Sequence, residues 1–207
     1  MALYALVPAA GRAERFGSAK LLVRWRDREL LGHVLATLSG ARVAGLLART
    51  FVVHRPGDDA VPALAAEYLA WPIGLRGDGS LSDSLRTGVA EIRALDSGRE
   101  PSALLVCLGD QPLLRLDVIR ALLHAWKAGA SAVRPSYRGN PGTPGHPILL
   151  DRRVWGLAAE LNGETGFAPV LHRHGIPIHT ISVGGHNPDI DTPADLQALE
   201  APEPTGV

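Results

Sequence analysis

Val7-Pro8-Ala9-Ala10-Gly11-Arg12-Ala13-Glu14-Arg15-Phe16-Gly17-Ser18-Ala19-Lys20 is the stretch on which the reading of this chain turns. It leaves an apolar run over residues 3–9 that stops at Gly11, the pattern of a buried parallel strand entering a turn. Ala9, Ala10 and Gly11 are small, so the backbone can approach a ligand closely. Successive amides there can face anionic oxygens as a nest. Arg15 can fork onto a polyphosphate, and Lys20 adds a compact point charge. The spacing is neither the dinucleotide fingerprint nor the Walker loop. A tight turn alone would explain the glycine, but not two cations at fixed offsets directly after a strand.

Outward from this loop, strand-like and helix-like segments alternate to the end of the chain. Strand patterns cover 50–53, 103–108, 131–135, 146–150 and 178–183. Helical periodicity covers 28–42, 58–69, 82–95 with Ser82 as a plausible cap, 117–127 capped by Asp117, 151–161, 167–174 and 193–200. Arg24, Arg26 and Arg28 read as the solvent face of a hairpin or edge strand. This alternation predicts a Rossmann-like, three-layer α/β/α fold with a mostly parallel twisted sheet. Right-handed crossovers would then place ligands at the carboxyl ends of the strands. One domain is expected over residues 1–200, followed by a fraying tail at 201–207.

The 207 residues carry 21 basic and 21 acidic side chains, a formal net charge of +0. That balance argues against a duplex nucleic-acid binder, which needs a basic excess. The single cysteine, Cys107, lies in an apolar run and reads as a small core residue rather than a reactive thiol. No Cys/His cluster has zinc spacing. His172 and His174 read as solvated rather than as a metal pair, and the four tryptophans mostly as packing residues. The apolar start lacks a basic leader, and no apolar run is long enough to span a bilayer, so a cytoplasmic location without membrane contact is expected.

Two further segments carry chemistry. Gly109-Asp110-Gln111-Pro112 ends the most apolar strand, placing a carboxylate at the same crevice as the loop. Asp110 suits Mg²⁺, which takes one or two carboxylates plus substrate phosphates; a turn or cap aspartate is the competing reading. In Asp189-Ile190-Asp191-Thr192-Pro193-Ala194-Asp195-Leu196, Thr192 and Pro193 read as the cap and first position of a helix. Asp195 reads as structural. Asp189 and Asp191 would point the same way if extended, either as a second metal carboxylate or as solvated loop acids.

Together these segments resemble the MobA-like nucleotidyltransferases, and among them the molybdenum cofactor cytidylyltransferases. The resemblance rests on the small-residue loop at residues 7–11, Arg15-Phe16-Gly17, Lys20, Gly109-Asp110-Gln111-Pro112, Gly145-His146-Pro147 and the segment 189–196. The run Gly79-Ser80-Leu81-Ser82-Asp83-Ser84-Leu85-Arg86-Thr87-Gly88 is similar to the family's Gly-rich turn. The chain departs from the pattern at Ala13, where the family usually has serine, at Glu14, and at Phe167-Ala168, where the cytidylyltransferases carry an arginine. Arg134, Arg138 or His146 are the candidates to replace that arginine.

The resemblance implies a fold of the nucleotide-diphospho-sugar transferase type and transfer of CMP from CTP to a phosphate monoester, molybdopterin, with release of pyrophosphate. It assigns catalysis to Arg15, Lys20 and Asp110. Nucleotide binding falls to Val7, Ala9, Ala10, Gly11, Arg12, Arg15, Lys20, Gly79, Ser82, Ser84 and Leu85. Mg²⁺ falls to Asp110 and Asp191, and the acceptor to Gln111, Pro112, His146 and Asp189. CTP is expected over GTP because the guanylyl branch more often has two glycines where Ala10-Gly11 stand. The implied partners are an NTP, a phosphorylated pterin and, transiently, a molybdoenzyme. The alternatives are a GTP- or sugar-phosphate-using transferase of the same fold, or a non-catalytic pterin-binding chaperone.

Overall fold

In the computed structural model, which describes residues 1–11, 20–96, 102–139 and 143–199, the chain opens with β1 (Ala2–Pro8). Leu3, Ala5 and Val7 enter one apolar core and Leu6 another, as the period of two in a strand requires. A single 3-10 turn (Lys20–Leu22) and a hairpin of β2 (Arg24–Trp25) and β3 (Arg28–Glu29) lead into α1 (Leu30–Val43). Then come β4 (Arg49–His54), α2 (Ala60–Glu67), β5 (Trp71–Gly74), α3 (Leu81–Leu95) and β6 (Ser102–Val106). The chain continues through α4 (Leu116–Lys127), β7 (Ala132–Tyr137), β8 (Ile148–Asp151), a 3-10 run (Arg152–Glu160), α5 (Phe167–Arg173), β9 (His179–Val183) and α6 (Pro193–Ala198).

Seven strands form one sheet in the order β5-β4-β1-β6-β8-β7-β9. Every pairing is parallel except those of β8, which runs against both neighbours. Helices α1, α2 and α4 pack on one face, and α3, the 3-10 run and α5 on the other. The three-layer, mostly parallel architecture read from the alternation of segments is therefore the one observed. Gly88 lets α3 lie close on β1, since a Cβ there would stand 2.3 Å from Leu6 Cδ1. None of the described helices is long and apolar enough to cross a membrane.

The reversal of β8 matters for the site. Its first residue, Ile148, pairs with Val106 at the carboxyl end of β6, so the preceding Gly145-His146-Pro147 arrives at the crevice the parallel strands open onto. The His146–Pro147 bond is cis. A third, small core of Trp25, Leu30 and Ile190, backed by Leu113, Leu196 and Leu199, staples the hairpin and α6 together.

The structure corrects several local expectations. The cap of α3 is Ser80, not Ser82: Ser80 Oγ accepts from Asp83 N at 3.1 Å, and the Asp83 carboxylate accepts in return from Ser80 N. Helix α4 starts after Arg115 without a side-chain cap, and Asp117 instead pairs with Arg115 at 3.0 Å. Residues 152–160 wind as 3-10 rather than α, because Trp155, Ala158 and Leu161 are buried at a spacing of three. Strand β5 was not foreseen, and its Trp71 is 51% exposed, with the Arg49 guanidinium 4.2 Å above its ring. The other tryptophans are buried, as is Cys107, whose thiol burial pushes well above its usual pKa. His174 pairs with Glu160 on the surface, and α6 carries the expected Thr192 cap, with Asp195 closing its capping box. Arg12, Ala13, Glu14, Arg15 and the tail at 201–207 lie outside the described residues.

The turn before α3 holds Gly77 at φ +118°, where a Cβ would lie 2.7 Å from Asp83 Cγ. The Gly77→Ala variant is expected to lose about 2 kcal/mol of unfolding free energy through backbone strain and displacement of the capping carboxylate. Denaturant titration reads this directly; an unchanged midpoint would refute this account of the turn.

Candidate active site

Three segments meet at the carboxyl end of the sheet. Lys20 follows β1, Asp110 follows β6, and Asp191 lies between β9 and α6. Lys20 Nζ donates to Asp110 Oδ2 at 2.7 Å and to Asp191 Oδ1 at 2.9 Å. The Lys20 and Asp110 side chains are only 15% and 21% exposed, whereas Asp191 is 56% exposed. Backbone fixes the arrangement as well, since Ile190 N donates to Asp110 O at 3.1 Å. Withdrawal from water alone would lower the Lys20 pKa, but hydrogen bonds and charge from Asp110 and Asp191 outweigh it and raise the value.

Beside this trio, Gln111 Nε2 donates to Asp189 Oδ1 at 2.9 Å, and Gln111 Oε1 accepts from Asn187 at 3.2 Å. Asp189 is held above the usual carboxylate value, first by loss of solvent and then by the charge of Asp110; Asp191 adds to this, while Gln111 and Lys20 oppose it. Burial depresses the His146 imidazole pKa, Asp110 opposes that and Arg134 reinforces it, and the net effect favours the neutral ring. The Tyr137 hydroxyl donates to His146 O at 2.8 Å. Gly145 makes room for that ring, a Cβ there falling 2.7 Å from Tyr137 Cε2.

On the other side of Asp110, the small-residue loop is pinned by backbone and by Arg55. Ala9 N donates to Val53 O and Arg55 Nε to Ala10 O, both at 2.8 Å. Gly79, at φ +99°, lies beside Ala10, where a Cβ would make an ordinary contact 3.9 Å from Ala10 O. Gly79 thus neighbours the loop, in which Ala9 and Ala10 are buried and Gly11 is exposed. Val7 is buried in the core. Ser82, Ser84 and Leu85 face inward: Ser82 Oγ donates to Thr165 O at 3.0 Å and Ser84 Oγ to Ser80 O at 3.2 Å. Ser82 holds α3 against the loop at 163–165, Ser84 closes the first turn of the helix and Leu85 joins the core, so what the turn offers a ligand is the backbone around Gly79. Pro112 is turned away from the trio and lines a separate cavity of about 370 Å³ with Trp25, His33 and Arg115.

The residues sequence reasoning missed are Asn187 and Arg55. Each acts through a partner far along the chain, and neither belongs to a motif-like spacing. The residues present suit a divalent cation. Asp110 Oδ1 is buried without a hydrogen-bond partner among the described residues, and two carboxylates already share one positive charge. No group of three or more metal-ligating side chains occurs among the described residues, but Mg²⁺ held by one or two carboxylates and substrate phosphates needs none.

Residues 5–178 match the family model described as the MobA-like NTP transferase domain. A probable molybdenum cofactor guanylyltransferase of Deinococcus radiodurans is 31% identical over 202 residues, 95% of this chain and 93% of that protein. The bifunctional protein GlmU of Xanthomonas campestris pv. campestris is 33% identical over 143 residues, 67% of this chain and 29% of its own length, so the chain spans about three tenths of that relative. Among solved structures, Rv0371c of Mycobacterium tuberculosis superposes with a TM-score of 0.78 at 28% identity, over 96% of this chain and 97% of that one. A second structure of Rv0371c, in complex with manganese, gives 0.74 at 26% identity, over 96% and 98%.

Because the folded-state pKa of Asp189 lies above its unfolded value, its ionised form costs stability; the cost is fully present above the folded pKa and vanishes below the unfolded one. Asp189→Asn keeps an oxygen for Gln111 and removes the charge. Thermal melting should show the variant more stable than wild type at pH 7, with the gain shrinking as pH falls through the carboxylate range. A loss at pH 7 would contradict the crowding of Asp189 by Asp110 and Asp191.

Proposed function

The chain belongs to the MobA-like NTP transferase family, and on that premise we propose that it is an enzyme of the nucleotidyltransferase type that transfers a nucleotidyl group, CMP from CTP, to a phosphate monoester, molybdopterin, in the cytoplasm. The observation that carries the reading is the Lys20 ammonium held between Asp110 and Asp191 beside the loop at residues 9–11. In the reaction a phosphate oxygen of the acceptor attacks the α-phosphorus of the NTP. A new P–O bond forms, the bond from the α-phosphorus to the bridging oxygen breaks, and pyrophosphate leaves with the electron pair. The nucleophile is already anionic, so no strong base is needed, and positioning and charge neutralisation dominate.

Lys20 has three N–H donors and uses two on the carboxylates, leaving one for an α-phosphate oxygen. Arg15 would grip the leaving pyrophosphate. The amides of Ala10 and Gly11 and the backbone near Gly79 would read the base and the triphosphate. Asp110 and Asp191 would hold Mg²⁺, which supplies neutralisation of phosphate charge when bound. Gln111, His146 and Asp189 would border the acceptor, with His146 as a neutral hydrogen-bonding group.

A second reading, GTP as donor, is favoured by the relative named a probable molybdenum cofactor guanylyltransferase. A pyrophosphate-release screen of the four NTPs with molybdopterin and common sugar phosphates separates the two. The reading expects CTP to be used best; a clear GTP preference would replace the donor, and a sugar-phosphate preference the acceptor. Lys20→Ala and Asp110→Ala should each lower turnover by at least about a hundredfold while the fold is retained. Wild-type turnover in both would sink the assignment. Chelation of divalent cations should abolish pyrophosphate release, and Mg²⁺ should restore it; activity that survives chelation would remove the metal from the scheme.

A further inference from the structure

The described arginines that are shielded from water have visible partners, with one exception. Arg86 reaches Asp83 and Leu161 O, Arg55 reaches Ala10 O, and Arg115 reaches Asp117 and Gly184 O. Arg134, on β7, makes no hydrogen bond or ion pair with the described residues, and its Nε is buried. A buried N–H without a partner is costly, because it has lost solvent and gained nothing in return. Neighbours that merely stabilised the fold would include a carboxylate or carbonyl within reach.

The position of Arg134 gives the missing partner a place. Val133 belongs to the core under α4, and Ala132 to the one under α5, so by strand alternation Arg134 faces the α5 side. Val133 pairs with Leu149, and Ile148 with Val106, so Arg134 stands level with the carboxyl end of β6, just below Asp110. The charges of Asp110 and Arg134 both act on His146, so each lies near that ring. In the sheet, β7 is the third strand from β1, about 14 Å away at roughly 4.8 Å per strand. The loop at residues 9–11 and Gly79 lie at the β1 end, and Asp110 lies between.

From this geometry we infer that Arg134 is the anchor for the acceptor's phosphate, its guanidinium taking the dianionic group on the far side of Asp110 from the NTP. This assignment rests on the reading of the chain as a nucleotidyltransferase with a phosphorylated acceptor. A planar fork suits a phosphate that must present one oxygen to the α-phosphorus while two others are held. The attacking oxygen stays free, and no proton has to be moved by the arginine.

The test uses the full chain with Mg²⁺ and a non-hydrolysable α,β-methylene CTP or GTP, then titrates phenyl phosphate as the acceptor probe by calorimetry. Wild type, Arg134→Gln and Arg134→Lys are compared. Arg134→Gln should bind phenyl phosphate about ten- to a hundredfold more weakly, with nucleotide affinity unchanged. Arg134→Lys should recover part of the loss, because the charge returns without the fork. In turnover, KM for the acceptor should rise while KM for the NTP stays put. Equal phenyl phosphate affinity in wild type and both variants overturns the assignment, as does a parallel loss of nucleotide affinity, which marks a structural role. If neither nucleotide analogue binds wild type, the nucleotidyltransferase reading fails instead. In that event, the difference in phenyl phosphate affinity between wild type and Arg134→Lys still decides the role of Arg134.

Discussion

One ammonium between two carboxylates organises the crevice. Lys20, Asp110 and Asp191 come from segments separated by 90 and 171 residues of chain, yet their charged atoms meet within 2.9 Å. Unit charges about 4 Å apart attract by about 1 kcal/mol in bulk water and about 4 kcal/mol at a partly shielded protein surface. The shielding of Lys20 and Asp110 therefore makes the contact directive rather than decorative. Only two lysines, Lys20 and Lys127, occur among the 21 basic residues. A lysine at this point is chemically apt: a planar guanidinium would demand in-plane acceptors, whereas a compact ammonium serves two carboxylates approaching from different loops.

What brings the carboxylates there is the topology. Parallel strands β1 and β6 release the small-residue loop and Asp110 at the same edge. The single reversed strand, β8, then delivers His146 to that edge from its amino end, where a parallel strand would have placed it at the opposite side of the sheet. The segment after β9 is returned to the crevice by apolar contact rather than by charge: Ile190, fully buried between Asp189 and Asp191, packs with Trp25 and Leu30. The two polar neighbours of Ile190 are thereby forced outward, toward Gln111 on one side and Lys20 on the other. Docking of the hairpin and α6 is thus part of how the site is built.

Those parts of the site that sit at strand ends were legible in the sequence, because an apolar run followed by glycine and a charged residue has a direct spatial meaning. Lys20 and Asp110 were legible in this way, and so was the mostly parallel sheet; Asp191 reads in the sequence either as a metal carboxylate or as a loop acid, and Gln111 comes only from the family resemblance. The capping residue of α3 was misjudged by two residues, because Ser80 and Ser82 are both good caps and only the reach of Asp83 decides between them. Strand β5 was invisible because Trp-Pro-Ile-Gly is short and contains proline, which only an edge position tolerates. Arg55 and Asn187 could not be read at all: their roles depend on Ala10 O and Gln111, contacts set by strand order rather than by local pattern.

The distribution of unmet charge gives the crevice its direction. The chain as a whole is neutral, yet near Asp110 three carboxylates face one ammonium, and Asp189 is correspondingly hard to ionise. Two strands away, a guanidinium has no carboxylate. A protein selecting only for stability would give that arginine a carboxylate of its own, since a buried N–H without a partner is costly. Leaving an excess of negative charge at one point and a lone positive charge at another favours a ligand that is itself polarised in the opposite sense. Such a ligand has cationic character next to Asp110 and anionic character next to Arg134. A metal-bound triphosphate meeting a phosphate monoester has that pattern, and a neutral ligand such as a free nucleobase does not.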